Sequence, residues 1–140
     1  MALTRNFTEK EFICKCKMCS KIPELYLINV QNLSKILQIL RDDLKTPIII
    51  NSGIRCREHN KKSKGKINSR HLTGLAADIC SKYFTPIQLR NRILELEKEK
   101  KIYVGYIQLY ATFVHIDIRG IYTSNYYLGK VYNRDKKSSI

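Results

Sequence analysis

The sequence predicts an α+β fold in which helices pack on one mainly antiparallel sheet. Short apolar runs alternate with segments of helical periodicity, and the last two runs are close enough to form a hairpin. No apolar run approaches the ~20 residues that a membrane span needs. The chain has 140 residues, 44% of them hydrophobic and 27% charged, which suits one domain with a modest core. We assign residues 1–132 to this domain and residues 133–140 to a polar tail.

The first elements are predicted to be helices. Residues 7–12 predict a short helical turn that Asn6 or Thr8 caps. Residues 30–44 predict an amphipathic helix. Its apolar positions recur at helical spacing and are expected to face the core: Leu33, Ile36, Leu37 and Leu40.

The middle of the chain predicts a strand followed by polar segments. The β-branched run at residues 47–51 predicts a buried strand, which Ser52 and Gly53 end. Residues 55–64 are polar and begin with a short helix. Residues 61–66 form a basic loop.

The next two elements are a strand at residues 76–80 and a helix that ends near residue 100. Thr85 supplies the N-cap of this helix and Pro86 its first turn. We expect five apolar residues of the helix to face the core: Ile87, Leu89, Ile93, Leu94 and Leu96. The chain then forms a hairpin of strands 103–110 and 113–119, with a tight turn near Ala111.

The charge balance favours an anionic partner. The 26 Lys and Arg residues exceed the 12 Asp and Glu residues, for a formal net charge of +14. Nucleic acid, an anionic cell-wall polymer and a membrane surface all remain open, as does a merely lysine-rich solvated surface. No zinc-finger spacing, aromatic RNA-binding signature or recognition helix supports nucleic acid.

The N-terminus lacks the apolar stretch of a signal peptide. We therefore expect the chain to be made in a cytoplasm. Separately, we expect it to be a monomer. It would act elsewhere after cell lysis, as part of a particle or after non-classical export.

The five cysteines are an odd number, which argues against a fully paired disulfide framework. Cys14, Cys16 and Cys19 are dense enough to suggest a metal or a redox pair. A structural zinc there needs a fourth ligand, for which Cys56 and Cys80 are the candidates. Free buried thiols are the alternative.

His71 and Asp78 are candidate zinc ligands that need a bend between them. On one helix they would lie ~10 Å apart along the axis, and a strand would separate them further. Gly74 is where the chain bends at least cost. We infer that His71 lies in a loop and Asp78 on the strand that follows.

A third candidate ligand lies on the last predicted strand. Residues two apart share a strand face, so His115, Asp117 and Phe113 point one way while Val114 and Ile116 face the core. Two histidines and one aspartate make a plausible ligand set for a catalytic zinc, with a fourth position open. Such a set indicates a hydrolase.

Four segments together resemble the zinc D-alanyl-D-alanine carboxypeptidase family. Residues 69–78 read Ser-x-His-x-x-Gly-x-Ala-x-Asp, and residues 113–117 read Phe-Val-His-Ile-Asp. Residues 52–60 resemble the family's Ser-Gly-Tyr-Arg segment with its Glu-His-Asn. Residues 7–16 resemble the start of the small single-domain branch from bacteria and phages. The resemblance covers about residues 7–120.

This resemblance implies an α+β fold shared with hedgehog signalling domains, and hydrolysis of peptidoglycan stem peptides next to a D-amino acid. It implies His71, Asp78 and His115 as ligands of one Zn²⁺. Arg55 matches an arginine that holds substrate or polarises the scissile carbonyl, and Ser69 matches a serine near the substrate. We add Tyr110 as a further substrate-binding candidate.

The general base departs from the family pattern. Several branches place an acid three residues before the last histidine ligand, where this chain has Thr112. Asp117 is a candidate base, or it orients His115; the second role is favoured slightly. His59 is another candidate base, because its pKa suits the task. A zinc-containing wall-binding module without activity, and a basic nucleic-acid-binding protein, are the alternative functions.

Overall fold

The computed structural model describes residues 1–121 and confirms the α+β prediction. Within these residues the chain forms four helices and four strands, with a 3-10 turn before the second strand. They are α1 (Glu9–Phe12), α2 (Glu24–Leu44), β1 (Ile49–Ser52), α3 (Arg57–Lys62), the turn Arg70–Thr73, β2 (Ala76–Cys80), α4 (Pro86–Lys98), β3 (Tyr106–Leu109) and β4 (Val114–Asp117). The predicted tail at 133–140 and the end of the predicted domain lie outside the described residues.

The sheet is antiparallel throughout, in the order β1-β2-β4-β3. Ala77 pairs with Ile116 in the β2–β4 ladder, and these residues face the hydrophobic core. Asp78 pairs with His115 one position along. Because successive residues of a strand point to opposite faces, this pair lies on the face away from the core. One face of the sheet therefore supports the core and the other carries the polar residues.

Helix α2 begins at Glu24, earlier than the prediction from residue 30. Its first turns expose Leu25 and Ile28, so the apolar spacing there does not mark one buried face. Pro23 precedes the helix and supplies no side-chain cap, which removes the usual start signal. The predicted core positions of α2 are fully buried, as expected: Leu33, Ile36, Leu37 and Leu40.

Helix α4 begins as predicted, at Pro86 behind the Thr85 cap. The Thr85 hydroxyl accepts the Gln88 backbone N–H at 3.2 Å, and the Gln88 side chain accepts the Thr85 N–H at 2.8 Å. Two of its five predicted core residues are wrong: Ile87 is 54% exposed and Leu94 39% exposed. At ~100° per residue they lie off the face that is buried. That face consists of Leu89, Ile93 and Leu96.

Gly74 supplies the predicted bend. It ends the 3-10 turn with φ of 77°, in the left-handed region that glycine adopts without strain. A Cβ atom at Gly74 would also lie 2.8 Å from a methyl group of Val30 on α2. His71 is thus in a short 3-10 turn rather than an irregular loop. Asp78 is on the strand that follows, as predicted.

The hairpin strands pair over four residues each, fewer than predicted. The turn between them closes where the Tyr110 N–H donates to the Phe113 carbonyl at 3.0 Å. Within residues 1–121, no helix combines the length and apolar character needed to cross a bilayer.

An ion pair joins α2 to α4 and gives a pH-dependent contribution to stability. The Arg92 guanidinium places two nitrogens 2.6 Å from the two Asp43 oxygens. These hydrogen bonds outweigh burial and hold the pKa of the Asp43 carboxyl below its usual range. The stabilisation is therefore present above the unfolded pKa of ~3.9 and is lost as the pH falls through the folded value.

We expect Asp43→Asn to lower Tm by a few degrees at pH 7, because the charged partner of Arg92 is lost. Thermal unfolding followed by circular dichroism measures the difference between variant and wild type. This difference in Tm should vanish in strongly acidic buffer, where Asp43 of the wild type is protonated in both the folded and the unfolded state. A difference that persists there contradicts the electrostatic explanation.

Candidate metal centre

Three elements carry the predicted ligands to one point. His71 lies in the 3-10 turn and is buried, Asp78 lies in the middle of β2, and His115 lies opposite Asp78 on β4. The Ser69 hydroxyl accepts the His71 backbone N–H at 3.2 Å and so caps the turn. Ser69, predicted from the resemblance to lie near substrate, also fixes the backbone of a candidate ligand.

The three donor atoms have the spacing of a tetrahedral zinc site. His71 Nε2 and His115 Nδ1 each lie 3.2 Å from Asp78 Oδ1, and all three atoms lie within 4.8 Å of one another. Ligands held ~2.0–2.1 Å from a tetrahedral zinc ion lie roughly 3.3 Å apart. The side chains present therefore fit one zinc ion with a fourth position left open.

The outer nitrogen of each histidine ring has its own acceptor. His71 Nδ1 lies 2.7 Å from the Gly53 carbonyl oxygen, and His115 Nε2 lies 2.9 Å from Asp117 Oδ2. A carbonyl or carboxylate oxygen needs an N–H donor, so each outer nitrogen carries the proton. With a metal bound, His71 Nε2 and His115 Nδ1 would offer their lone pairs to it, in place of the hydrogen bonds that they make to Asp78 Oδ1 without a metal.

The site favours a cation at its centre. Burial alone raises the pKa of Asp78, but hydrogen bonds from His115 and His71 outweigh it and hold this pKa well below its usual range. Burial alone lowers the pKa of His115, whereas hydrogen bonds to Asp117 and Asp78 prevail and raise it. Two carboxylates close to one imidazole thus stabilise positive charge, whether as a proton or as a metal ion.

Arg55 contacts the candidate ligand Asp78 directly. The position of Arg55 in the sequence does not indicate this contact. Its guanidinium donates to Asp78 Oδ2 at 3.0 Å, to Ser52 Oγ at 3.1 Å and to Asn60 Oδ1 at 3.3 Å. The first bond engages the Asp78 oxygen that the histidines leave free. Arg55 therefore positions Asp78 so that Oδ1 faces the two rings.

Asp117 is completely buried behind His115. Besides the His115 ring, it accepts hydrogen bonds from Arg119 Nε at 2.9 Å and from a terminal Arg119 nitrogen at 2.7 Å. Arg119 lies two residues after Asp117, so the period-2 pattern that grouped His115 with Asp117 extends to it. The guanidinium carbon also lies 4.5 Å above the Tyr106 ring. The sequence did not predict Arg119 or Tyr106 as part of the site.

A cavity of about 500 Å³ opens at the three donor atoms. Among the predicted site residues, Arg55, Ser69 and Tyr110 line it together with the three candidate ligands. His59 and Asp117 do not line it. The only carboxylate among its described lining residues is Asp78, whereas five are cationic: Arg55, Lys64, Lys66, Arg70 and Arg119.

The profile of the family described as peptidase M15 matches residues 5–117, a range that contains all three donors. The chain belongs to the peptidase M15 family. This is the family of zinc D-Ala-D-Ala carboxypeptidases, so the resemblance that the motifs predicted is confirmed. A search of curated proteins finds no match for this M15 chain.

A second group of donors in this M15 peptidase consists of cysteines. The sulfurs of Cys14, Cys16, Cys19 and Cys56 all lie within 4.8 Å of one another. Of the two fourth ligands that the sequence left open, the structure brings Cys56 to the group. Cys80 lies on β2, where its sulfur is 3.4 Å from Asn51 Oδ1.

Gly53 supports the site in a way that its sequence position does not indicate, since its carbonyl contacts the His71 ring. A Cβ atom there would lie 2.6 Å from the Phe12 carbonyl oxygen, so the backbones must separate. We expect Gly53→Ala to lower the free energy of unfolding by about 1–3 kcal/mol. It should also weaken zinc binding, because the carbonyl that accepts from His71 moves. Chemical denaturation and zinc titration measure the two effects, and unchanged values for both contradict this account.

Proposed function

We propose that the protein is a zinc peptidase that hydrolyses peptide bonds in peptidoglycan stem peptides, next to a D-amino acid. One observation carries the proposal above all. His71, Asp78 and His115 converge with the spacing of a zinc site at the surface of a cavity, in a chain of the peptidase M15 family. The activity would be that of a carboxypeptidase or an endopeptidase.

The chain's own residues hold and orient the metal in this proposal. A bound zinc ion would supply Lewis-acid chemistry, by lowering the pKa of water and polarising the scissile carbonyl. His71, Asp78 and His115 provide three ligand atoms. The Gly53 carbonyl and the Asp117 carboxylate accept hydrogen bonds from the outer nitrogens of the two histidine rings and so fix the rings. These partners keep the ligand atoms directed at one point while substrate enters and leaves.

The cationic lining supports a substrate with carboxylates. The guanidinium of Arg55 contacts Asp78 through one terminal nitrogen while the side chain also lines the cavity. Arginine pairs well with carboxylates, and stem peptides carry several. We assign Arg55 to grip a substrate carboxylate or the developing oxyanion, with Ser69 and Tyr110 as further contacts. The net charge of +14 would favour association with anionic wall polymers.

Asp117 is better suited to positioning than to proton transfer. It is buried, it is saturated by His115 and Arg119, and those hydrogen bonds outweigh burial and hold its pKa below the usual range. His59 lies outside the cavity lining, so it has no short path to a substrate there. We therefore assign Asp117 to orient His115 and do not assign the base to His59.

A second candidate function is a zinc-containing module that binds cell wall without cutting it. One observation favours it: among the described lining residues, no carboxylate besides the candidate ligand Asp78 reaches the cavity. The proton that must reach the leaving amine then has no carboxylate carrier among these lining residues apart from Asp78.

Purified peptidoglycan distinguishes the two functions. The zinc-loaded protein is incubated with it, and soluble products are identified by mass spectrometry. Release of a single D-amino acid indicates a carboxypeptidase, and shortened stems or cleaved cross-links indicate an endopeptidase. Chelation should stop product formation, and added zinc should restore it. Co-sedimentation with peptidoglycan without any product would instead support the binding module. Because peptidoglycan lies outside the cytoplasm, either function requires release or export of the chain.

A further inference from the structure

A four-cysteine cluster lies apart from the candidate catalytic ligands. Cys14, Cys16 and Cys19 come from the segment between α1 and α2, and Cys56 comes from the start of α3. Residues 14–22 form neither helix nor strand, yet three of their sulfurs turn toward Cys56. A segment without regular hydrogen bonding needs another source of order to offset its conformational entropy.

The sulfur spacing matches tetrahedral metal coordination. Cys56 Sγ lies 3.8 Å from Cys14 Sγ and 3.8 Å from Cys16 Sγ. Sulfurs held ~2.3 Å from one tetrahedral zinc ion lie roughly 3.8 Å apart. A disulfide requires ~2.05 Å between two sulfurs, and Cys56 is equally far from two candidate partners. The spacing of the sulfurs therefore does not favour any one pair of these cysteines for disulfide formation.

Backbone amides donate to two of the sulfurs. The Cys56 N–H lies 3.4 Å from Cys14 Sγ, and the His59 N–H lies 3.4 Å from Cys56 Sγ. Such N–H donors stabilise the thiolate over the thiol, and thiolates are the form that binds metal.

The surrounding charge suits a metal with four thiolates. Binding releases four protons to solvent, and one Zn²⁺ with four thiolates carries a net charge of −2. Lys15 and Lys17 alternate with the cysteines along the chain, and Lys21 and Arg57 follow close behind two of them. These cations offset the negative charge of the cluster.

We propose that Cys14, Cys16, Cys19 and Cys56 bind a structural zinc ion, separate from the site of His71, Asp78 and His115. The ion fastens the segment after α1 to residues 53–56. The same connection includes the hydrogen bond from the Ile54 N–H to the Phe12 carbonyl, at 2.9 Å. Residues 53–56 include Gly53 and Arg55, which contact His71 and Asp78. The structural metal thus supports the segment that orients the candidate catalytic ligands.

Metal analysis of the full chain tests this proposal. Elemental analysis of zinc-loaded wild type should give two zinc equivalents per chain. Cys56→Ser should give one, and the matched control Cys80→Ser should give two, because Cys80 lies outside the cluster. His71→Ala should also give one, because it loses the other ion.

Cobalt(II) substitution tests the proposal in the wild-type chain, so the test does not depend on whether a cysteine variant folds. Thiolate coordination produces an intense near-ultraviolet charge-transfer band, which we expect in wild type and in His71→Ala. If Cys56→Ser folds, it should lack the band. Absence of the band in wild type overturns the proposal. A disulfide would also overturn the proposal, and it would appear under non-reducing conditions as a mass 2 Da below that of the fully reduced chain. Rapid reaction of all five thiols in the zinc-loaded protein would overturn it as well.

Discussion

Replacing His71 with alanine is expected to remove one zinc equivalent and the hydrolytic activity together. His71 Nε2 is one of three donor atoms around the open position, and its ring is almost fully buried. Changes in residues that merely support a ligand cost ~10–100-fold in affinity or activity, so loss of the ligand itself should exceed that range. Elemental analysis and product release from peptidoglycan measure the two effects.

His59→Ala is the matched comparison, because it removes the one histidine that lies outside the cavity lining. We expect it to keep both zinc equivalents and to hydrolyse at nearly the wild-type rate. Hydrolysis by His71→Ala at the wild-type rate would refute the assignment of the catalytic metal. Loss of activity in His59→Ala with full zinc content would instead restore His59 as the candidate base.

Replacing Asp117 with asparagine should weaken zinc binding and hydrolysis by about 10–100-fold each. The amide retains the shape but loses the charge that keeps His115 Nε2 protonated and Nδ1 directed at the metal. It also leaves the Arg119 guanidinium without its carboxylate partner. Competition with a chelator of known affinity measures the zinc dissociation constant, and steady-state kinetics separates kcat from KM.

Asp43→Asn is the control for this variant, since it also removes a carboxylate that pairs with an arginine. It should alter stability but leave the zinc dissociation constant at the wild-type value. If Asp117 only stabilised the fold, the two variants would behave alike in the chelator assay. A normal dissociation constant for Asp117→Asn would therefore exclude the positioning role.

The convergence of the three candidate ligands could be predicted because its signals are local. Gly74 between His71 and Asp78 predicts a bend, and the period-2 alternation of β4 predicts that His115 and Asp117 share a face. The structure places these five residues accordingly. The start of α2 was missed because Leu25 and Ile28 are exposed there, so apolar residues do not mark its buried face.

The support of the ligands depends on contacts between distant parts of the chain. Arg55 is 23 residues from Asp78, and His71 is 18 residues from Gly53. Cys56 is 42 residues from Cys14. No periodicity within one element encodes such a pairing, which depends on how β1, the turn and β2 pack. The motif thus indicated Arg55 as a substrate contact and Gly53 as a strand end, without their contacts to Asp78 and His71.

Pairing of Asp78 with His115 across β2 and β4 has a consequence for how the chain folds. If the two strands paired one residue out of step, one of these side chains would point to the opposite face. A mispaired sheet would then lack the metal centre. Ligand binding stabilises only the state that binds, so zinc would add free energy to the correct register alone. Bound zinc would therefore also favour the correct register of the sheet. The yield of native protein on refolding would then rise with the concentration of free zinc.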